Sequence, residues 1–261
     1  MEHAIEIRGL SAHYGDRGVL KGITAYIPRR ATTVIAGGSG SGKTTLLKHL
    51  IGLLKPTSGS ILLNGSDLCC LSERELDKVR RRIGVSFQGS ALLNSMTVGD
   101  NVALPIREHT RLRESTIQIM VRMKLDLVGL SGFQAYYPSQ LSGGMKKRAS
   151  IARAIALDPE ILFFDEPSSG LDPVTAAGID ELILKLNEVF KMTVVVVTHE
   201  LQSIFTIAKH VIMLDLGEKI FEGSLEELRA SDHPRVRMFL ERQPDRDTYS
   251  PEDYLGIIAG D

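Results

Sequence analysis

Apolar and polar positions alternate near the start of the chain, Ile5 and Ile7 against Glu6 and Arg8, and a period of two is the pattern of a half-buried strand. Tyr14 follows, then a Gly15-Asp16-Arg17-Gly18 turn. A second strand-rich stretch at residues 61–63 ends in Asn64-Gly65, a dipeptide suited to the two positive-φ positions of a tight hairpin. The opening region therefore reads as an antiparallel sheet. Residues 32–36 are β-branched and apolar enough for a buried strand beside it, and residues 45–54 repeat their apolar positions along one helix face. From residue 89 to about 139 the pattern changes. Ile117, Met120, Val121, Leu125 and Val128 recur at helical spacing without a strong strand candidate, which predicts a mainly helical insertion. Met145, Ala149, Ala152 and Ala156 continue at steps of four, three and four, so a helix should begin just after Gly143 and Gly144 and run toward Asp158-Pro159. Strand and helix patterns then alternate: strand 161–164, helix 174–190, strand 193–197, helix 201–210, strand 211–214. Such alternation predicts a parallel sheet with crossover helices, hence an α/β fold.

Composition changes this picture little. In 261 residues, 31 basic and 32 acidic side chains leave a net charge of −1, so no bulk attraction for nucleic acid exists and no nucleic-acid partner is expected. Cys69 and Cys70 are adjacent. Their Cα atoms must lie about 3.8 Å apart, closer than disulfide geometry prefers, and two thiols in a reducing compartment are expected, with no metal site. The start, MEHAIEIRGL, lacks the features of a secretory signal, and apolar runs such as residues 194–197 are too short to span a bilayer. A soluble, cytosolic chain is expected.

Chemistry enters with GGSGSGKT at residues 37–44, which fits the phosphate-loop pattern G-x-x-x-x-G-K-[ST] between a predicted strand and a predicted helix. Gly37, Gly38, Gly40 and Gly42 permit turns that aim backbone N–H groups inward, with Ser39 and Ser41 between them. The helix start adds its positive end. Lys43 would reach the β- and γ-phosphates, Thr44 would offer its hydroxyl to Mg²⁺, and Thr45 follows in the same turn. A second constellation closes the strand at 161–164: Asp165 to hold Mg²⁺ through its water shell, and Glu166 to orient and deprotonate an attacking water. That pairing turns a phosphate site into a hydrolase. A third, Leu141-Ser142-Gly143-Gly144-Met145, is another helix start furnished with a hydroxyl and free N–H groups, a second anion site that one nucleotide cannot easily share with the first.

With GGSGSGKT, Gln88 in VSFQ, LSGGM, ILFFDE, SGLD at 169–172 and His199 in VVVVTHE, the chain resembles the ATP-binding-cassette ATPases over nearly its whole length. The resemblance implies a P-loop core with an antiparallel β subdomain at 1–88 and 159–241 and a helical subdomain inserted at 89–158. ATP and Mg²⁺ are the implied cofactors. Tyr14 matches the adenine-stacking aromatic, Gln88 would touch Mg²⁺ and the water, His199 would contact the γ-phosphate and hold the Glu166 geometry, and Asp172 would meet the other subunit. Two cassettes pair head to tail in this family, so Ser142, Gly143 and Gly144 of one chain would close on ATP held by Lys43 of another, and a homodimer is implied.

FQGSALLNSMTVGDNVALPIREHT, MVRMKLDLVGL and DHPRVRMFLE look like the ATPases of Mla-type lipid transporters. This implies a peripheral position on the cytoplasmic face of a bacterial inner membrane, an MlaE-like permease, an MCE lipid-binding protein and a small STAS-type regulatory subunit. SSGLDP departs from several Mla cassettes, which carry Gln before the Asp-Pro, and leaves room for a related MCE system, an amino acid importer or a non-transport cassette protein. Between Gln88 and Arg107, the apolar Ala91, Leu92, Leu93, Met96, Val98, Val102 and Leu104 suggest a permease-docking surface. Residues 242–261 carry two prolines, acidic positions and a small apolar group, read as an arm on a partner subunit or a disordered tail.

Overall fold

A computed structural model of the protein describes residues 2–15 and 17–243. Strands β1 (His3–Tyr14) and β2 (Arg17–Pro28) form a long hairpin; β3 (Thr32–Ala36) leads into helix α1 (Lys43–Leu50). Next come β4 (Ser58–Leu63), β5 (Ser66–Asp67), α2 (Glu73–Arg80) and β6 (Ile83–Ser86). Helices α3 (Val98–His109), α4 (Glu114–Leu127) and α5 (Gly143–Ala154) precede β7 (Ile161–Asp165). The chain continues through α6 (Pro173–Phe190), β8 (Thr193–Val197), α7 (Leu201–Ile207), β9 (His210–Asp215), β10 (Glu218–Gly223), α8 (Leu225–Ala230) and α9 (Pro234–Leu240).

Two sheets result. One is antiparallel, ordered β2-β1-β4-β5; Asn64 and Gly65, at φ 49° and 82°, form the tight turn that the dipeptide predicts. The other runs β10-β9-β3-β8-β7-β6, parallel except for the antiparallel edge strand β10. Its central strands are buried on both faces, as continuous apolar runs require. Alternate side chains divide between two cores. Val34, Leu162, Phe164, Val194, Val196 and Val211 pack with the helices α3 to α7; Ile35, Ile161, Phe163, Val195, Val197 and Ile212 pack with α1 and the antiparallel sheet. Phe163 is 0 % exposed in the second core. Phe163→Ala should therefore cost about 3–5 kcal/mol of stability, measured as a lowered midpoint in urea unfolding.

Several elements carry capping signals that periodicity does not read. Ser72 and Glu75 make a capping box on α2, Ser224 and Glu227 another on α8, and Asp172 caps α6 by accepting from the N–H groups of Val174 and Thr175. Helix α1 starts at Lys43, directly after the glycine loop as expected, and stops at Leu50, short of residue 54, because Gly52 turns left-handed at φ 68°. Helix α7 ends at Ile207 rather than 210, since His210 already pairs with Thr33 in the sheet. Val98 and Val102 do not belong to an external patch: both are fully buried in the first core, which needs the inner face of α3. The expected arm at 242–261 lies outside the described residues from 244 onward.

Candidate active site

The phosphate loop leaves β3 and enters α1 through two glycines that nothing else could replace without movement. Gly37 has φ 146°, and a Cβ there would lie 2.2 Å from the carbonyl oxygen of Leu214; Gly42 has φ 101° and would meet Leu20 at 2.8 Å. Gly42 is the N-cap of α1 and offers no side-chain cap, so the first N–H groups of the helix remain available to an anion. Lys43 curls back to donate to the carbonyls of Gly37 at 2.9 Å and Gly38 at 2.7 Å. Burial pushes its pKa down, opposed by the carboxylates of Glu166 and Asp165.

A cavity of about 790 Å³ opens over this loop, lined by Ser39, Gly40, Gly42, Lys43, Thr44, Thr45, Gln88, Glu166 and His199. Gln88, Glu166 and His199 come from three separate strand ends, which is where open parallel sheets bind ligands. The cavity also contains Val19, Lys21, Leu216 and Gly217, from β2 and the β9–β10 turn. No pattern in the sequence singles these out, because they reach the cavity only through sheet pairing. The side chain of Tyr14, at the end of β1, lies outside the described residues.

Thr44 donates its hydroxyl to Asp165 at 3.3 Å, so a hydroxyl and a carboxylate converge below the cradle. Burial raises the pKa of Asp165 and the neighbouring charge of Glu166 adds to it; the Thr44 hydrogen bond, Lys48 and Lys43 act the other way. Two oxygen donors suit a Mg²⁺ that keeps water and takes phosphate oxygens for the rest of its shell. Among the described residues no group of three or more His, Cys, Asp or Glu side chains could hold a metal ion by itself.

Glu166 is held on every side. Its Oε1 accepts from Nδ1 of His199 at 2.7 Å and its Oε2 from the Thr198 hydroxyl at 3.2 Å, while its N–H donates to the carbonyl of Val197 at 2.9 Å. A carboxylate in its ionised form accepts only, and toward that form Nδ1 is the donor. The backbone of Glu166 sits at φ 48°, a left-handed conformation that costs a non-glycine residue about 1–3 kcal/mol and persists where neighbours enforce it. Thr198 was not visible as a site residue, since a Thr at a strand end carries no signal by itself.

Ser142, Gly143 and Gly144 are not in this cavity. Ser142 is exposed and caps α5, accepting from the N–H of Met145 at 3.3 Å. The loop before α3 is organised by Asn101, which is fully buried; its Nδ2 donates to the carbonyls of Leu93, Met96 and Thr97 and its Oδ1 accepts from the N–H of Leu93. This holds Leu93 outward, 42 % exposed.

Comparison with known proteins completes the assignment. The ABC transporter family profile matches residues 20–169. The chain belongs to the ABC transporter family. It is 44 % identical over 97 % of its length to the "Intermembrane phospholipid transport system ATP-binding protein MlaF" of Haemophilus influenzae, covering 97 % of that protein. It is 42 % identical to the MlaF of Escherichia coli K12, over 91 % of this chain and 88 % of that one. A "Probable ribonucleotide transport ATP-binding protein mkl" of Mycobacterium tuberculosis is 44 % identical over 91 % of the chain, but only 66 % of the relative is covered. Among solved structures, the dimeric post-hydrolysis state of the ATP-binding cassette MJ0796 bound to ADP and Pi superposes with a TM-score of 0.79 at 33 % identity, covering 85 % of this chain and 98 % of that one. CbiO1 of Clostridium perfringens, part of the ABC transporter complex cbiONQ, gives 0.81 at 30 % identity, covering 88 % and 92 %. The P-loop fold, ATP binding and the ATPase activity expected from the motifs agree with this membership. Among the described residues no helix is long and apolar enough to cross a membrane.

Proposed function

We propose that this chain binds and hydrolyses ATP to energise intermembrane phospholipid transport, as the peripheral ATPase of a membrane complex. The observation that carries the substrate class is the alignment with a phospholipid-transport ATPase over 97 % of both chains. The ribonucleotide reading of the mycobacterial relatives leaves a third of those chains unmatched. In this reading Lys43 and the loop from Gly37 to Thr45 cradle the phosphates, Thr44, Asp165 and Gln88 hold Mg²⁺, Glu166 is the general base, and His199 fixes its carboxylate. Mg²⁺ supplies charge neutralisation on the phosphates when bound.

Exposure of Ser142 and Gly143 away from the ATP cavity supports a head-to-tail homodimer, each α5 start facing nucleotide on the other chain. Accordingly, Ser142→Arg in a Glu166→Gln background should abolish ATP-dependent dimers, read by sedimentation with and without ATP. Dimers that persist would remove the shared site.

In this reading the permease docks at the exposed Leu93 and at a groove of about 340 Å³ lined by Arg80, Arg81, Pro105, His109 and Arg153. Arg153 joins the two, donating to the carbonyls of Ala91 and Ser90. An MlaE-like permease, an MCE protein and a STAS-type subunit are the partners proposed. Leu93→Asp should release the permease while leaving ATP affinity of the isolated chain within about twofold, because a carboxylate buried without a partner is costly at an apolar contact. Co-purification from membranes followed by mass spectrometry of bound lipid tests both points. Recovery of phospholipid with the wild-type complex supports the function, and recovery of nucleotides as cargo overturns it.

A further inference from the structure

Lys147 lies in the second turn of α5 and is only 7 % exposed. Its ammonium donates to two backbone carbonyls, that of Gln88 at 2.5 Å and that of Glu166 at 3.1 Å. A buried ammonium is unfavourable unless hydrogen-bonded, and these two acceptors, with the nearby carboxylates of Asp165 and Glu166, are what hold it there.

The three segments joined by this one side chain come from separate elements. Gln88 stands two residues beyond β6, Glu166 directly follows β7, and α5 begins at the Ser142-Gly143-Gly144 segment. The left-handed backbone of Glu166 makes the contact more than a strut. Its N–H is tied to Val197 and its carboxylate to Thr198 and His199, all on the β8 side of the site. Lys147 holds the carbonyl from the other side, from a helix that is not part of the sheet. A strained conformation relaxes when one of its opposing restraints is withdrawn.

We propose that Lys147 is a positioning residue for ATP hydrolysis, locking the backbones of Glu166 and Gln88 to α5 so that the carboxylate of Glu166 meets the attacking water only when α5 is seated. The ammonium touches neither nucleotide nor water in this scheme. It acts through the two carbonyls, and the proposal rests on the reading of Glu166 as the base.

Steady-state and single-turnover ATP hydrolysis by the full chain test it. Lys147→Met keeps the stem and removes the donors. It should lower kcat at least tenfold with KM and the affinity for a non-hydrolysable ATP analogue within twofold, and Lys147→Arg should restore most of the rate. Where Lys147→Met lowers the melting temperature enough to unfold the chain, Lys147→Gln, which retains amide donors, carries the same comparison with a smaller loss. The distinguishing measurement is the double variant: in a Glu166→Gln background, Lys147→Met should change the residual rate less than twofold, since the two carbonyl contacts take effect through the Glu166 carboxylate. Losses that multiply in the double variant, a kcat within twofold of wild type in the single one, or a matching loss of ATP affinity would each overturn the proposal. Should Glu166→Gln alone retain wild-type turnover, the failure lies in the assignment of the base and not in Lys147.

Discussion

Glu166→Gln should bind ATP as tightly as the wild-type chain and lose about 10²- to 10⁴-fold in turnover, the usual cost of removing a general base. The side chain is 9 % exposed and held by two neighbours, His199 at 2.7 Å and Thr198 at 3.2 Å, so an isosteric amide occupies the same place. What changes is basicity: the amide oxygen accepts a hydrogen bond but does not take a proton. The cradle proposed for the phosphates, the loop from Gly37 to Thr45, contains none of these groups and is untouched. Phosphate release at saturating ATP and a direct nucleotide titration separate the two quantities. A rate within a few-fold of wild type would show that another group activates the water.

Lys43→Ala should act on the opposite quantity. The ammonium donates to the carbonyls of Gly37 and Gly38, two backbone acceptors of the loop itself. Burial already lowers its pKa, so phosphate oxygens offer a better environment than the one it has. Charge-assisted hydrogen bonds contribute about 1.5–3 kcal/mol, and their loss predicts ATP affinity weaker by roughly 10- to 150-fold. Isothermal titration with ATP measures it; unchanged affinity would mean that the N–H groups at the start of α1 carry the phosphates without the lysine. The two substitutions together divide the site into a part that binds and a part that reacts.

Most of the site's composition could be read along the chain because phosphate chemistry demands contiguous backbone. A loop that wraps a phosphate must place glycines, a lysine and a hydroxyl within eight successive positions, and residues 37–44 do so whatever surrounds them. Asp165 and Glu166 are legible for a related reason: a strand buried on both faces reads as an apolar run, and its end announces itself by the first carboxylates. Period two in β1 and the Asn64-Gly65 turn likewise need only local sterics.

Other assignments depended on distance in space. Val98 and Val102 look like surface on a connecting segment, yet the inner face of α3 closes a core that residues far along the chain supply. The four residues of β6 are too few for a period to show, and EKIFEG in β10 has no apolar alternation; pairing with β7 and β9 makes them strands. Val19, Lys21 and Gly217 join the ATP cavity from β2 and the β9–β10 turn, Thr198 grips Glu166 from the neighbouring strand end, and Lys147 reaches two carbonyls from a different helix. The amino-acid sequence by itself determined the parts of the candidate site, since each motif is a local solution to binding or splitting a phosphate. Only the tertiary structure decided how firmly those parts are held, because a hydrogen bond between residues 19 or 59 positions apart leaves no trace in the order of the letters.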